Sequence, residues 1–244
     1  MKRKIPVLIS VSSAGKRVPR ELDEISIATS EQIIEYANTG AFEIFALKSE
    51  VVRQVISLIS KLFIDMNECA DFTDEDLNNV VLNCTQSGES LYKKKIAREM
   101  IQTLLDRYYY PYHEKLYSYS LSEVVLGLDC YSVEQIGTNS ELESDYDYNS
   151  DYDVVSQPWI RLTTVKGSIC PDYWVELLAE CFEDQFKSEI SVEKADEDSS
   201  ILSQHSKEMP WIKLEVVSGF FMTNKEKKLK ILNALRQWIN KVGA

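Results

Sequence analysis

The clearest pattern of hydrophobic and polar positions in this chain occurs twice near its carboxyl end. The segment from Gln157 to Gly167 aligns in register with the segment from Met209 to Gly219. Each copy contains a proline, a tryptophan and a short apolar run that ends at a glycine, and apolar residues at helical spacing follow. The sequence therefore predicts a repeated strand–helix unit over 157–186 and 209–243. We expect the two strands to share one sheet and both helices to pack on the same face.

The amino-terminal half has a different pattern. Residues 5–11 form one short apolar run, which predicts a buried strand. After it, apolar residues recur every three or four positions over 51–66 and again over 91–108, which predicts two amphipathic helices, the second ended by Pro111. Thr29 and Gln32 have the spacing of a capping box at the start of a shorter helix.

These elements together predict an α+β protein with a largely helical amino-terminal part. We expect a mainly helical domain with one strand over 1–137, an acidic linker or loop over 138–154, and an α/β module over 155–244. In that carboxyl-terminal module the two strand–helix repeats would pack a small sheet against helices.

The acidic segment 138–154 changes the charge balance of the whole chain. It carries six carboxylates and no lysine or arginine, so it accounts for half of the formal net charge of −12. A run of like charges repels itself and stays solvated, which favours a linker over a metal site. An acidic surface also disfavours nucleic acid and anionic membranes as partners.

The spacing of the cysteines and the length of the apolar runs indicate the cellular compartment. The five cysteines are widely spaced and include no CxxC pair, which favours free thiols in a reducing compartment over disulfides or a structural zinc site. No apolar run approaches the roughly 20 residues that a membrane-spanning helix needs. The sequence therefore predicts a cytoplasmic protein without a membrane segment, a metal site or a cofactor.

No firm catalytic pattern is visible, and no catalytic residue is predicted. The loop from Ser12 to Arg17 resembles a phosphate-binding loop but has Ser10 where the first glycine is required and Arg17 where a hydroxyl residue is required. The two histidines, His113 and His205, do not lie at metal-ligand spacing from each other or from a cysteine. No protein family is identified from these motifs.

The leading functional hypothesis is a non-catalytic intracellular protein that binds another protein, as an acidic inhibitor, immunity-type factor or adaptor. Its partner would have a basic surface, because opposite charge speeds association. Tyrosines combine contact area with a polar tip and suit such surfaces. The candidate binding residues are those of the tyrosine segment and of the acidic segment: Tyr108, Tyr109, Tyr110, Tyr112, His113, Tyr117, Tyr119, Asp145, Tyr146, Asp147 and Tyr148.

Three other interpretations stay open at this point. The tyrosine rings of 108–119 could simply cover the seam between two helices. The chain could be an enzyme whose site is assembled from dispersed residues around His113, in which case a pocket would contain that histidine and a perturbed acid. It could also be an assembly subunit of a homo-oligomer, with the tyrosine segment or the repeat helices buried between copies.

Overall fold

A six-stranded mixed sheet forms the centre of the molecule in a computed structural model that describes residues 3–70, 79–120, 123–134, 158–196, 200–219 and 222–243. The strand order is β2-β1-β3-β6-β4-β5. The first four strands in that order are parallel, whereas β4 runs antiparallel to β6 and parallel to β5. The strands are β1 (Ile5–Val11), β2 (Val51–Ile56), β3 (Leu126–Val133), β4 (Ile160–Val165), β5 (Ile190–Ala195) and β6 (Trp211–Val217).

Helices cover both faces of this sheet. A 3-10 turn (Arg20–Leu22) follows the first strand, and a π-helical turn (Leu105–Tyr109) joins two of the helices. Within the described ranges, no helix has both the length and the apolar character needed to cross a membrane. The helices are α1 (Ser30–Glu35), α2 (Thr39–Phe45), α3 (Arg98–Leu104), α4 (Tyr110–Ser120), α5 (Asp172–Phe186), α6 (Ile201–His205) and α7 (Asn224–Val242).

The two faces of the sheet bury separate cores. Every residue of β1 is buried, as expected for an inner parallel strand with helices on both sides. Its side chains alternate, so that Val7 and Ile9 enter one core while Leu8 enters the other. Helices α2, α5 and α7 cover the first core. The second core lies beneath α3, the π-helical turn, α4 and α6.

Each copy of the sequence repeat forms a strand followed by a helix, β4 with α5 and β6 with α7. Strands β4 and β6 are neighbours in the sheet, and the equivalent residues Leu162 and Leu214 face each other across the antiparallel ladder. Helices α5 and α7 pack together on one face, where the indole Nε1 of Trp238 donates a hydrogen bond to the carbonyl of Trp174 at 2.9 Å. The capping box at the start of α7 (Thr223 with Glu226) and the end of that helix at Gly243 also match the sequence pattern.

The prediction of a largely helical amino-terminal part is wrong. The segment predicted as a helix over 51–66 begins with strand β2, because the β-branched residues Val51, Val52 and Val55 favour a strand even though their spacing also fits a helix. The helix predicted over 91–108 begins only at Arg98, and the helical run continues past Pro111 to Ser120. The π-helical turn ends two residues before this proline, and its wider turn relieves the clash that a proline inside a helical run makes with the preceding turn.

The sheet combines strands from both sides of the acidic segment. Strands β1, β2 and β3 precede residue 138, and β6 pairs with β3 along its whole length. The acidic segment itself lies outside the described residues, so its role as a linker and the division of the chain at that point stay predictions. The capping box of Thr29 and Gln32 at the start of α1 is confirmed.

Candidate functional site

A cleft of about 390 Å³ lies at the carboxyl ends of β1 and β3. The chain leaves β1 to form β2 on one side and later returns to form β3 on the other side. At such a point the loops that leave the two strands diverge, and in open sheets of parallel strands ligands bind in the resulting crevice. The residues that line it are Ser13, Glu35, Tyr36, Ala37, Asn38, Thr39, Gly40, Lys61, Tyr131, Ser132, Glu134 and Ser218.

Asn38 holds one wall of the cleft in place. Its side-chain amide donates to the carbonyl of Ser132 at 2.7 Å, and its side-chain oxygen accepts from the backbone N–H of Ala41 at 3.0 Å. Its backbone N–H donates to the carbonyl of Ser13 at 2.8 Å. One residue thus caps α2 and ties it to the ends of both central strands, so the cleft is preformed.

Two buried hydroxyl groups in this cleft lack partners. The Oγ atoms of Ser13 and Ser132 make no hydrogen bond with any described residue. A buried hydroxyl without a partner costs about 1–3 kcal/mol, so most proteins avoid it. The hydrogen-bonding capacity of the two hydroxyls is therefore unused among the described residues.

Beneath the cleft, Asp129 is the centre of a buried polar network. Its carboxylate accepts hydrogen bonds from the hydroxyls of Ser10 at 2.9 Å and Tyr131 at 2.7 Å. The Ser10 hydroxyl is also 2.8 Å from the hydroxyl of Tyr112, and the Tyr131 hydroxyl is 3.0 Å from that of Ser12. These side chains meet because β1 and β3 place Ser10 and Asp129 directly opposite each other.

Burial sets the acid–base properties of this network. Loss of solvent raises the pKa of Asp129 from 3.8 to about 6, although hydrogen bonds from Tyr131 and Ser10 and the charge of Lys213 oppose the rise. Burial and the negative charge of Asp129 raise the pKa of the Tyr131 phenol well above its usual range. At neutral pH the carboxyl can therefore exchange a proton, and the phenol is protonated in the resting state.

Tyr131 has more acceptors than protons. Its single hydroxyl hydrogen lies within reach of Asp129 at 2.7 Å and of the side-chain oxygen of Asn67 at 2.8 Å. When Asp129 is protonated it can donate to Tyr131, and the phenol can then donate to Asn67. The hydrogen bonds of this pair can thus reverse direction without moving a side chain.

Charged side chains flank the network on both sides. Lys61 lines the cleft and forms an ion pair with the buried Asp65 at 3.1 Å. On the other side, the ammonium of Lys213 lies 5.3 Å from the centre of the Tyr131 ring and 3.2 Å from Glu215. Both cations favour negative charge near the cleft.

The two histidines, 92 residues apart in sequence, meet over the same face of the sheet. His113 Nδ1 lies 3.1 Å from His205 Nε2, and His205 Nδ1 lies 3.2 Å from the carboxylate of Glu208. Burial and the neighbouring His205 lower the pKa of His113 to about 3. Neither histidine lines the cleft, so a site assembled around His113 would lie at another place in the fold and stays a prediction.

The predicted tyrosines are distributed among several environments. Tyr112 joins the Asp129 network. Tyr108 donates to Glu21 at 2.7 Å, and Tyr109 donates to the carbonyl of Glu68 at 2.8 Å. Their polar tips thus have partners within the fold, as expected for rings that cover a helix seam.

The other predicted contact residues are more open to solvent. Tyr110 packs against the second core, the guanidinium of Arg53 lies 5.2 Å from the centre of the Tyr119 ring, and Tyr117 is exposed. The predicted residues of the acidic segment, 145–148, lie outside the described residues. The use of any of these residues as a contact surface, and a basic protein partner, stay predictions.

The described part of the chain contains no group of three or more His, Cys, Asp or Glu side chains that could hold a metal ion. The donors at the cleft are instead hydroxyl groups, a phenol, an ammonium and carboxyls. This set can bind an anion or a carbonyl oxygen and can transfer a proton.

Comparisons with known proteins identify the class of fold and then the family. The structure is similar to that of N-formylglutamate amidohydrolase from Ralstonia eutropha, with a TM-score of 0.66 and 14% identity over 99% of this chain and 96% of that chain. It is also similar to a gene product of Agrobacterium tumefaciens, with a TM-score of 0.68 and 10% identity over 99% of this chain and 93% of that chain. These likenesses show a shared fold.

The sequence itself matches the family model of N-formylglutamate amidohydrolase over residues 5–222. The chain belongs to the N-formylglutamate amidohydrolase family. A comparison with curated protein sequences found no match.

The family corrects the leading functional hypothesis. A non-catalytic acidic inhibitor, immunity-type factor or adaptor is wrong, because the family model describes hydrolytic enzymes of the amidohydrolase type. The absence of a catalytic motif in the sequence was misleading, since the groups of this site come from several strands. Asp129 and Tyr131 belong to β3, where no local pattern indicates a site, and Ser13 belongs to the loop that resembles a phosphate-binding loop.

Proposed function

We propose that this protein hydrolyses the carbon–nitrogen bond of a small carboxylate-bearing amide in the cleft at the ends of β1 and β3. The observation that carries the proposal is the family match over residues 5–222, a range that contains every strand end around the cleft. In such a reaction water adds to the carbonyl carbon, the carbon–nitrogen bond breaks, and the products are a carboxylate and a protonated amine.

The groups at the cleft can be matched to the needs of that reaction. The developing oxyanion needs hydrogen-bond donors, and the free hydroxyls of Ser13 and Ser132 supply them. The departing nitrogen needs a proton, which Tyr131 can donate and recover from Asp129. The Lys61 ammonium lines the cleft beside these groups and favours the negative charge that develops during the reaction.

The ionisation of Asp129 gives the activity a pH dependence. Its raised pKa of about 6 means that the carboxyl is mostly ionised at pH 7 and mostly protonated at pH 5. Because the ionised form takes up the proton from attacking water through Tyr131, we expect kcat/KM to rise as the pH passes 6.

Release of primary amine from N-formylglutamate and other N-formyl amino acids tests the proposal, with the assay run with and without added Zn²⁺. We expect Tyr131→Phe to lower kcat by roughly 100-fold or more, the scale of a lost proton donor. Tyr173→Phe, at an exposed tyrosine of α5, is the matched control. The proposal fails if no amide in the panel is cleaved under either condition, or if the two variants have equal activity.

We also propose a cytoplasmic location. All five cysteines are free thiols, including the exposed Cys84, as is typical of proteins in a reducing compartment.

A further inference from the structure

A second groove, of about 320 Å³, lies next to the cleft at the end of β1. Its size is at the lower end of the range of small-molecule sites. Thr39 lines both the groove and the cleft, so the two cavities are neighbours along the start of α2. The residues that line the groove are Ala14, Gly15, Lys16, Arg17, Thr39, Phe42, Glu43 and Leu58.

The groove has an apolar surface that the fold leaves uncovered. Phe42 and Leu58 both line it and are 45% and 46% exposed, respectively. Single exposed apolar residues are common on proteins, but a pair that lines a concave site beside a cleft is typical of ligand pockets. An apolar group bound there would be removed from water by both side chains.

The backbone around the groove is held in one position. A Cβ atom on Gly15 would collide with the backbone of Leu58, so glycine is required for this close approach. The N–H of Arg17 donates to the carbonyl of Leu58 at 3.0 Å, and the N–H of Ser60 donates to the carbonyl of Arg17 at 3.0 Å. The groove is therefore preformed, which lowers the entropy cost of binding.

One rim of the groove is positively charged. The side chains of Lys16 and Arg17 are exposed and make no ion pair or hydrogen bond with any described residue. Glu43, which also lines the groove, accepts a hydrogen bond from Asn224 at 2.5 Å. In a chain with a formal net charge of −12, two adjacent unpaired cations beside an apolar surface favour a ligand that is both apolar and anionic.

From this arrangement we propose that the groove is the specificity subsite for an apolar side chain, and that the substrate is an N-acyl amino acid with an aromatic or branched aliphatic side chain. The amide lies in the cleft, the side chain lies between Phe42 and Leu58, and the free carboxylate pairs with Arg17. This inference rests on the proposed hydrolysis and extends it to a substrate class. A preference for an apolar side chain would distinguish this protein from an enzyme that is selective for an acidic side chain.

Kinetic comparison of two substrates tests the subsite. We expect kcat/KM for N-formylphenylalanine to exceed that for N-formylglutamate. We also expect Phe42→Ala to lower kcat/KM for N-formylphenylalanine by roughly tenfold or more, as for the loss of a good apolar contact. The same variant leaves N-formylglycine unaffected, because that substrate has no side chain to place in the groove. Leu229→Ala, at a leucine of α7 that is 57% exposed, is the matched control.

A second pair of substrates tests whether the substrate carboxylate pairs with Arg17. Arg17→Gln lowers kcat/KM for N-formylphenylalanine but leaves N-formylphenylalaninamide, which has no carboxylate, unchanged. An equal loss for both substrates contradicts the assigned role of Arg17. The subsite is refuted if kcat/KM is higher for N-formylglutamate than for N-formylphenylalanine in both the unaltered protein and Phe42→Ala.

A binding measurement separates this inference from the proposed hydrolysis. Titration calorimetry with N-acetylphenylalanine does not require turnover, so it reports on the groove even when no amide is cleaved. Binding to the unaltered protein that is lost in Phe42→Ala and kept in Leu229→Ala supports the subsite. Absence of binding, or equal binding by both variants, refutes it, whatever the hydrolysis assay shows.

Discussion

Replacement of Asp129 by asparagine isolates the energetic cost of the buried carboxyl group. Its pKa of about 6 in the folded protein lies above the usual value of 3.8, so the folded state holds the proton more tightly than the unfolded state does. Between these two pH values the unfolded state binds fewer protons, and the free energy of unfolding therefore falls as the pH rises. The stabilisation that comes from the tighter proton binding at Asp129 is fully present below pH 3.8 and is lost above pH 6.

The size of the effect follows from the pKa difference. At about 1.4 kcal/mol per pKa unit, a rise from 3.8 to about 6 corresponds to about 3 kcal/mol. Roughly 2 kcal/mol of this would be lost between pH 4.5 and pH 8, the range in which measurements are practical. Asp129 has no exposed surface, so solvent screening does not reduce this figure.

Urea unfolding of the unaltered protein and of Asp129→Asn, at steps of half a pH unit, measures the difference. Asparagine has no titrating group, so the stability of the variant relative to the unaltered protein should increase by about 2 kcal/mol from pH 4.5 to pH 8. Asp23→Asn, at an exposed carboxyl, is the matched control. A constant difference between Asp129→Asn and the unaltered protein across this range would refute the reasoning, since other groups titrate equally in both.

Two further predictions concern packing and the histidine pair. Gly127→Ala should lower the free energy of unfolding by about 1–3 kcal/mol, because a Cβ atom there would collide with the Trp211 ring; urea unfolding followed by tryptophan fluorescence measures this, and unchanged stability would contradict the packing. His113 should stay neutral above about pH 4, because burial and His205 lower its pKa to about 3. NMR titration of the ring protons should then show no inflection for His113 between pH 5 and pH 8, and an inflection near 6.5 would rule out its burial.

The two histidines show how much of the candidate site could be predicted from the sequence. The enzyme alternative named His113 because histidine is a frequent acid–base group, and the structure does place His113 beside His205. That contact depends on the packing of α4 against α6, which no local pattern records. The groups that line the cleft are serine, tyrosine and lysine side chains whose types are common everywhere in a sequence. Only their convergence makes them distinctive.

The sequence by itself determined the elements whose signals are local. The repeat with its capping box at Thr223, the buried strand over 5–11 and the stop at Gly243 all follow from hydrophobic period and backbone chemistry within a few residues. It also determined the family, because the match extends over residues 5–222.

Tertiary structure decided the rest. Val51 to Ile56 became a strand because β1 offered a parallel edge, and the Val/Ile-rich run suited that pairing as well as it suited a helix. Asp129 acquired its raised pKa only when the neighbouring strands and α4 removed it from water. A pKa depends on solvent and neighbours in three dimensions, and a strand depends on a partner edge, so neither could be obtained from the order of residues alone.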